Sequence, residues 1–235
     1  MDINVVCVCD QKYLKYFYTL LQSAKIYSPD LRFHICLINQ KKSRKKIELK
    51  AKNIYKKINF FYLEKKFINK ANKRAFCANY RAKFLLHVLN KGFKNIIYMD
   101  VDSLIRKNIK EYNWDFSEND ISVYFRNSND PKFKLLSGII SISGNNKSKV
   151  FIESWTKEIE DEIYNWFADQ ITFYSTYLKL RNNINFGNLD KQVIDWDFQK
   201  GSYIWAGKGS RKNNDLRYIK ETLLIKTRYL FSRFG

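Results

Sequence analysis

The stretch NIIYMDVDSLI, residues 95–105, decides how the chain is to be read. Residues 95–99 read as a strand, mostly apolar and buried on both faces, that breaks at Asp100-Val101-Asp102. In open α/β sheets ligands gather outside the carboxyl ends of strands, where this pair falls. Two carboxylates one residue apart can share a hard divalent cation such as Mn²⁺ or Mg²⁺, which keeps positions open for phosphate oxygens. A solvated turn is the other reading, since aspartate is common at strand ends. The apolar residues on both sides, Leu104 and Ile105 among them, bury the motif's neighbours and favour a site.

Working outward, strands and helices alternate. Residues 3–9 form an apolar strand that stops at Asp10, and Tyr13, Phe17, Leu20, Leu21 and Ala24 follow at helical spacing. Arg32–Ile38 reads as a second strand, residues 41–57 as a lysine-rich helix with a thin stripe of Ile47, Ile54 and Ile58, and residues 60–63 as a third strand. Residues 75–90 read as one helix, closed by Lys91-Gly92. Later strands are expected at Ile121–Phe125, 138–142 and 203–205, and helices at 147–160 and 166–179. Such alternation with short connections predicts an α/β fold with an open, mostly parallel sheet flanked by helices.

Composition narrows the class. The 235 residues are 45% hydrophobic and 17% aromatic, which excludes a disordered basic tail despite a formal charge of +20. With 8 Gly and 2 Pro, collagen-like and low-complexity chains are excluded too. Lysine excess has two readings, codon bias or attraction to a polyanion. It is unevenly spread. Residues 41–83 hold sixteen basic against two acidic residues, residues 84–210 sixteen of each, and residues 211–235 seven against two. That pattern suits two basic surfaces better than a uniform coat.

Four cysteines (Cys7, Cys9, Cys36, Cys77) do not make a disulfide framework in a chain of this length; they read as buried thiols, with a metal site beside His34 as the alternative. The N-terminus has no basic segment before its short apolar run and no run of about 18 apolar residues occurs, so a cytoplasmic chain is expected. GxxxxGK[ST] and GxGxxG motifs are missing, and His34 and His87 both fall inside regular elements, which leaves a serine or cysteine triad without a base.

Five pieces, VVCVCDQKY, NYRAKFLLHVLNKGFKNIIYMDVDSL, LLSGIISIS, WFADQITFY and IWAGKGSRK, stand in an order and spacing that resembles nucleotide-sugar glycosyltransferases. The resemblance is to the GT-A (Rossmann-like) fold, nearest to the bacterial retaining enzymes of glycosyltransferase family eight. It implies a catalytic domain over residues 1–212 and a basic, aromatic segment over 213–235. It further implies that Asp10 and Tyr13 meet the nucleotide base, that Arg81 and Lys83 face the diphosphate, and that Asp100 and Asp102 hold Mn²⁺ or Mg²⁺. Arg126, Ser137 and Gly138 would line the donor-sugar pocket, Asp169 and Gln170 would lie near the anomeric carbon, and Lys208, Arg211 and Lys212 would close over the phosphates. Three departures stand out. The late loop reads Ile204-Trp205-Ala206-Gly207 without the family's third-ligand histidine, Ser137 replaces an Asn, and Gln11-Lys12 replaces an Asp-Asn pair. Read without the resemblance, Asp169 suits an ordinary helix start and the late basic residues a solvated loop.

The reading that results is a metal-dependent transfer, with retention, from a UDP-type sugar to a cell-surface glycan or lipid-linked acceptor, as in lipopolysaccharide or capsule biosynthesis. Residues 218–234 put Ile219, Leu223, Leu230, Phe231 and Phe234 near one helical face among Lys220, Lys226, Arg228 and Arg233. That face suits either an anionic membrane surface on the inner side of the plasma membrane or packing on the core. Two rival readings are a basic nucleic-acid-binding module and a metal-dependent nuclease using Glu64-Lys65-Lys66. Aromatics at core-like positions such as Phe17, Phe84 and Phe125 weigh against the first, and the late position of Asp100 and Asp102 against the second, so no nucleic acid is expected.

Overall fold

Buried strands of alternating residues can feed two cores at once, and β1 (Asn4–Asp10) does so. Val5, Cys7 and Cys9 point to one side with Phe17, Leu20 and Leu21 of α1 (Leu14–Tyr27), while Val6 and Val8 point to the other. The computed structural model describes residues 2–40 and 43–232. After α1 come β2 (Arg32–Ile38), α2 (Arg44–Ile54), β3 (Ile58–Leu63), α3 (Lys70–Asn79), α4 (Arg81–Asn90), β4 (Ile96–Met99) and a short β5 (Ser103–Ile105). The second half adds β6 (Ile121–Phe125), β7 (Leu135–Ile142), α5 (Asn146–Glu160), α6 (Ala168–Leu180), β8 (Phe186–Asn188), β9 (Ile204–Ala206), α7 (Arg211–Asn214) and α8 (Leu216–Phe231).

The main sheet runs β3-β2-β1-β4-β7-β6-β8. β1 pairs in parallel with β2 and β4, and β2 with β3, while β7 runs against β4 and β6. β8 lies parallel to β6, so every described strand of this sheet except β7 points the same way. This is the mostly parallel α/β sheet that the alternation predicts. β5 and β9 form a separate antiparallel ribbon, with Leu104 opposite Trp205.

Two expected helices change. The helix over 75–90 is two helices, because tertiary contacts claim the joint. The Ala78 carbonyl accepts from Arg81 Nε (2.7 Å), and the Asn79 side chain donates to the carbonyls of Ile163 and Asn165 (2.9 and 2.8 Å). The helix over 41–57 spans Arg44–Ile54, and residues 41 and 42 lie outside the described residues. α8 packs on the body through Tyr218, Ile225 and Tyr229, leaving Leu223, Leu230 and Phe231 exposed. Arg233 and Phe234 lie outside the described residues.

All four thiols are free, and Cys7 and Cys9 face the opposite core from Cys36. His34 joins no thiol cluster. Its Nε2 lies 3.0 Å from Asn4 Oδ1 and its ring centroid 4.2 Å from that of Phe93. Burial, aided by the Arg32 charge, brings its pKa down to about 4. The folded protein thus keeps His34 neutral where the unfolded chain takes up a proton. Its contribution is complete above about pH 6.5 and declines toward pH 4, by on the order of 3 kcal/mol. Urea unfolding over this range should show a wild-type stability loss that His34→Asn reduces; identical pH profiles would refute the assignment.

Candidate functional site

Side-chain contacts bring together the carboxyl ends of β1 and β4, the start of β7, the first turns of α4 and α6, and the β5–β9 ribbon, and the cleft is the region they enclose. Asp100 ends β4 on the same face as Tyr98, whose hydroxyl donates to Asp100 Oδ1 (3.0 Å). β7, running backward beside β4, supplies the Gly138 carbonyl that accepts from the Asp100 N–H (2.9 Å). A Cβ at residue 138 would stand 3.0 Å from Asp100 Oδ2, so glycine leaves that oxygen room.

Asp102 is held from the opposite side. Pairing of β5 with β9 sets the Gly207 N–H 3.1 Å from the Asp102 carbonyl, and the Tyr218 hydroxyl donates to the same oxygen (2.6 Å). A Cβ on residue 207 would lie 2.3 Å from this carbonyl, an approach that glycine alone permits. The ribbon also delivers the late basic loop. Lys212 Nζ lies 2.5 Å from Asp102 Oδ2 and 3.4 Å from the Tyr13 hydroxyl, with 8% of its side chain exposed.

Arg81, the first residue of α4, ties the cleft together. It donates to the Ser137 carbonyl (2.5 Å) and hydroxyl (3.0 Å), and lies 3.4 Å from Asp100 and 3.5 Å from Asp169. The Ser137 hydroxyl in turn donates to Asp169 Oδ2 (2.5 Å), and the Asp169 N–H to Asn79 Oδ1 (3.1 Å). Burial works against the guanidinium's charge, but Asp100, Tyr98 and Asp169 outweigh it and hold its pKa above the ordinary value.

The carboxylates respond to the same crowding. Asp100 keeps 38% of its side chain reachable, yet the surrounding protein desolvates it; Arg81 opposes that effect, Asp102 adds to it, and the pKa is pushed up to about 6. Asp102 is also raised, by burial, with Lys212 opposing. Lys208 moves the other way. Burial and then the charges of Arg126 and Arg211 lower its pKa to about 8. An anion entering beside Lys208 would relieve that repulsion.

The remaining expected residues divide. Asp10 accepts from the Tyr13 N–H (3.2 Å) and pairs with Lys73 (3.1 Å) at the rim. Arg126 lies over the Phe133 and Trp196 rings, and Arg211 bonds Asp197 (3.0 Å) and the Trp196 carbonyl (2.9 Å). Lys83 is not brought in. Two residues beyond Arg81, it lies about 200° further round the helix and pairs with Glu160 (3.2 Å) near the surface. Arg81 itself is enclosed by protein partners, with 7% of its side chain exposed. The Gln170 amide, oriented so that its nitrogen donates, meets the carbonyls of Lys132 (3.3 Å) and Leu135 (2.8 Å).

Tyr98, Lys73, Asn79 and Tyr218 are site neighbours that sequence reasoning missed. Only Tyr98 carried a signal, the two-residue period that puts it on the face of Asp100. Two carboxylates, one with an oxygen left open by Gly138, suit a hard divalent cation. Among the described residues no group of three or more His, Cys, Asp or Glu side chains could hold a metal ion. Lys212 is the ion-pair partner of Asp102.

Comparison with known proteins agrees with this architecture. The sequence model of the nucleotide-diphospho-sugar transferase family matches residues 41–230. No curated protein matches the chain. Among solved structures, the glycosyltransferase GlyE of Streptococcus pneumoniae TIGR4 is similar with a TM-score of 0.61 at 14% identity, over 99% of this chain and 64% of GlyE. The chain thus spans less than two thirds of that relative. The galactosyltransferase LgtC, solved with donor and acceptor sugar analogues, gives 0.54 at 13% identity, over 80% of this chain and 74% of LgtC. Mouse xyloside xylosyltransferase 1 gives 0.56 at 10% identity, over 88% and 98%. The fold is that of GT-A glycosyltransferases, and the resemblance to family eight holds.

Removing one partner from a buried ion network strands the others, at about 3–5 kcal/mol. Arg81→Ala should therefore lower the unfolding free energy by that order, and Arg81→Lys by less. Denaturant midpoints for the two variants check this, and an unchanged midpoint in Arg81→Ala would remove the network from its central place.

Proposed function

The chain belongs to the nucleotide-diphospho-sugar transferase family, and from that premise we propose that it moves a sugar from a nucleoside-diphosphate donor, of the UDP-sugar type, to a glycan or glycolipid acceptor. One observation carries the reading: Asp100 and Asp102 lie at the carboxyl end of β4 beneath a loop bearing Lys208, Arg211 and Lys212. Asp10 and Tyr13 flank the base side, and Arg126, Ser137 and Gly138 flank the sugar side. Asp100 and Asp102 would hold Mn²⁺ or Mg²⁺, which when bound supplies positive charge beside the diphosphate.

Cleavage of the bond between the anomeric carbon and the phosphate oxygen sends an electron pair to the leaving diphosphate. Lys208, Arg211 and Lys212 meet that charge without proton transfer, and loss of one such contact typically costs about 3–4 kcal/mol of transition-state stabilisation. Asp169, fixed by Ser137 and Arg81, lends negative charge on the sugar side, where retention of configuration places the oxocarbenium-like centre. Gln170 supports this wall through the carbonyls of Lys132, before β7, and Leu135, its first residue.

Residues 1–212 form the catalytic unit in this proposal, and residues 213–235 a segment that backs Asp102 through Tyr218 and meets an anionic membrane surface. Among the described residues no helix is long and apolar enough to cross a membrane. Along α8, Leu216, Leu223 and Leu230 recur every seven residues, with Phe231 beside them (Leu223 57% and Phe231 72% exposed), amid Arg217, Lys220, Lys226 and Arg228. Basic side chains near anionic lipid are worth about 1 kcal/mol each.

Asp102→Ala should abolish metal-dependent turnover across a panel of nucleotide sugars while the circular dichroism spectrum stays native; retained turnover would sink the site. UDP or GDP with Mn²⁺ should raise the melting temperature, and a rise with oligonucleotides alone would favour the nucleic-acid reading. The double variant Leu223→Glu, Phe231→Glu should bind phosphatidylglycerol vesicles less tightly than wild type, with equal binding arguing against a lipid-facing α8.

A further inference from the structure

Beyond the catalytic cleft, a line of rings and guanidinium groups follows the same edge of the sheet. The Arg126 guanidinium lies 5.7 Å from the Trp196 ring centroid and 5.9 Å from that of Phe133. Phe133 meets Phe167 edge-on at 5.7 Å, Phe167 meets Trp166 at 5.6 Å, and Arg74 lies over Trp166 at 4.1 Å. Lys208 reaches the other end of the line, 5.7 Å from Trp196.

All of these residues gather where the described strands end. Arg126 follows the last residue of β6, Phe133 precedes the reversed strand β7, and Phe167 precedes Asp169 by two residues. Arg74 neighbours Lys73, which pairs with Asp10 at the end of β1. The line is open to solvent: Phe133 is 38% and Trp166 46% exposed, and Arg74 is exposed as well. Large aromatics that remain in water at the mouth of a cleft mark a surface awaiting a partner. Their setting is cationic, with Lys132 and Lys134 on either side of Phe133.

Rings and fixed forks of this kind select a particular chemistry. A pyranose offers a C–H face that lies flat on an indole or phenyl ring, and a guanidinium pairs with carboxylate or phosphate through two parallel hydrogen bonds. We propose that this line is the platform for an anionic glycan acceptor, with sugar faces on Trp166 and Phe133 and acid groups on Arg74 and Arg126. The proposal deepens the transferase reading and rests on it for the word acceptor. Glycan binding itself does not depend on that reading.

Calorimetric titration with three hexasaccharides tests it: oligogalacturonate, phosphorylated maltohexaose and plain maltohexaose, with UDP and GDP titrated in parallel. At least one acidic hexamer should bind tenfold or more tightly than maltohexaose, and which of the two does so distinguishes uronate from phosphate recognition. Trp166→Ala should weaken that binding at least tenfold. Arg74→Met should reduce the preference for acid over neutral sugar, and both variants should keep wild-type nucleotide affinity. Failure of both acidic hexamers to bind, or equal binding in Trp166→Ala, overturns the platform while nucleotide binding preserves the transferase reading. Glycan binding that depends on Trp166 without any nucleotide binding would instead keep the platform and overturn that reading.

Discussion

Arg81 carries its charge inside the protein, and a guanidinium removed from water must find both counter-charge and hydrogen-bond acceptors. The chain supplies them from four elements: Ala78 at the end of α3, Ser137 in β7, Asp100 after β4 and Asp169 in the first turn of α6. Because one side chain satisfies all four, their relative positions are set by electrostatics rather than by the loops between them. The break between α3 and α4 has the same origin, since the Ala78 carbonyl turns to Arg81. β7 must also run backward here. Only that direction brings the start of a strand, with Ser137 and Gly138, alongside the end of β4.

Around this fixed point the other site cations are few. Asp102 is met by Lys212 alone among the described basic side chains within ion-pair reach, and Lys208 is crowded by Arg126 and Arg211. These cations enter on the β5–β9 ribbon, whose pairing is secured by Gly207 against Asp102 and by Tyr218 from α8. The lysine excess of the early segment is a different matter. Lys45, Lys46, Lys50, Lys52, Lys56 and Lys57 stand exposed on and after α2, whereas Lys73 and Arg81 from the same segment pair with Asp10 and Asp100. Bulk charge and site charge are therefore separate features of the molecule.

Legibility followed the length of the pattern. Arg32–Ile38 and Ile121–Phe125 appear with the bounds that their apolar runs suggest, and the acidic pair stands at the end of β4 as its abrupt polarity change implies. β5 and β8, three residues each, have too few positions to display a period and exist because a neighbouring strand pairs with them. Lys83 and Arg81 look equivalent in sequence, but a helix separates residues two apart, so one is buried in the cleft and the other meets Glu160. The face of α8 was open between two uses. Tyr218, Ile225 and Tyr229 take the core side, which a wide apolar surface could not settle by spacing alone.

Taken alone, the sequence determined the class of fold, the order of its longer strands along the chain, and the strand end that carries two carboxylates. Those features depend on periods of two and 3.6 residues and on abrupt changes of polarity, all local properties of the chain. Tertiary structure decided which charges meet. Lys73 reached Asp10, Lys212 reached Asp102 and Arg81 reached Asp169, pairings made across distant segments because burying an ion requires a partner from whatever element lies nearest in space.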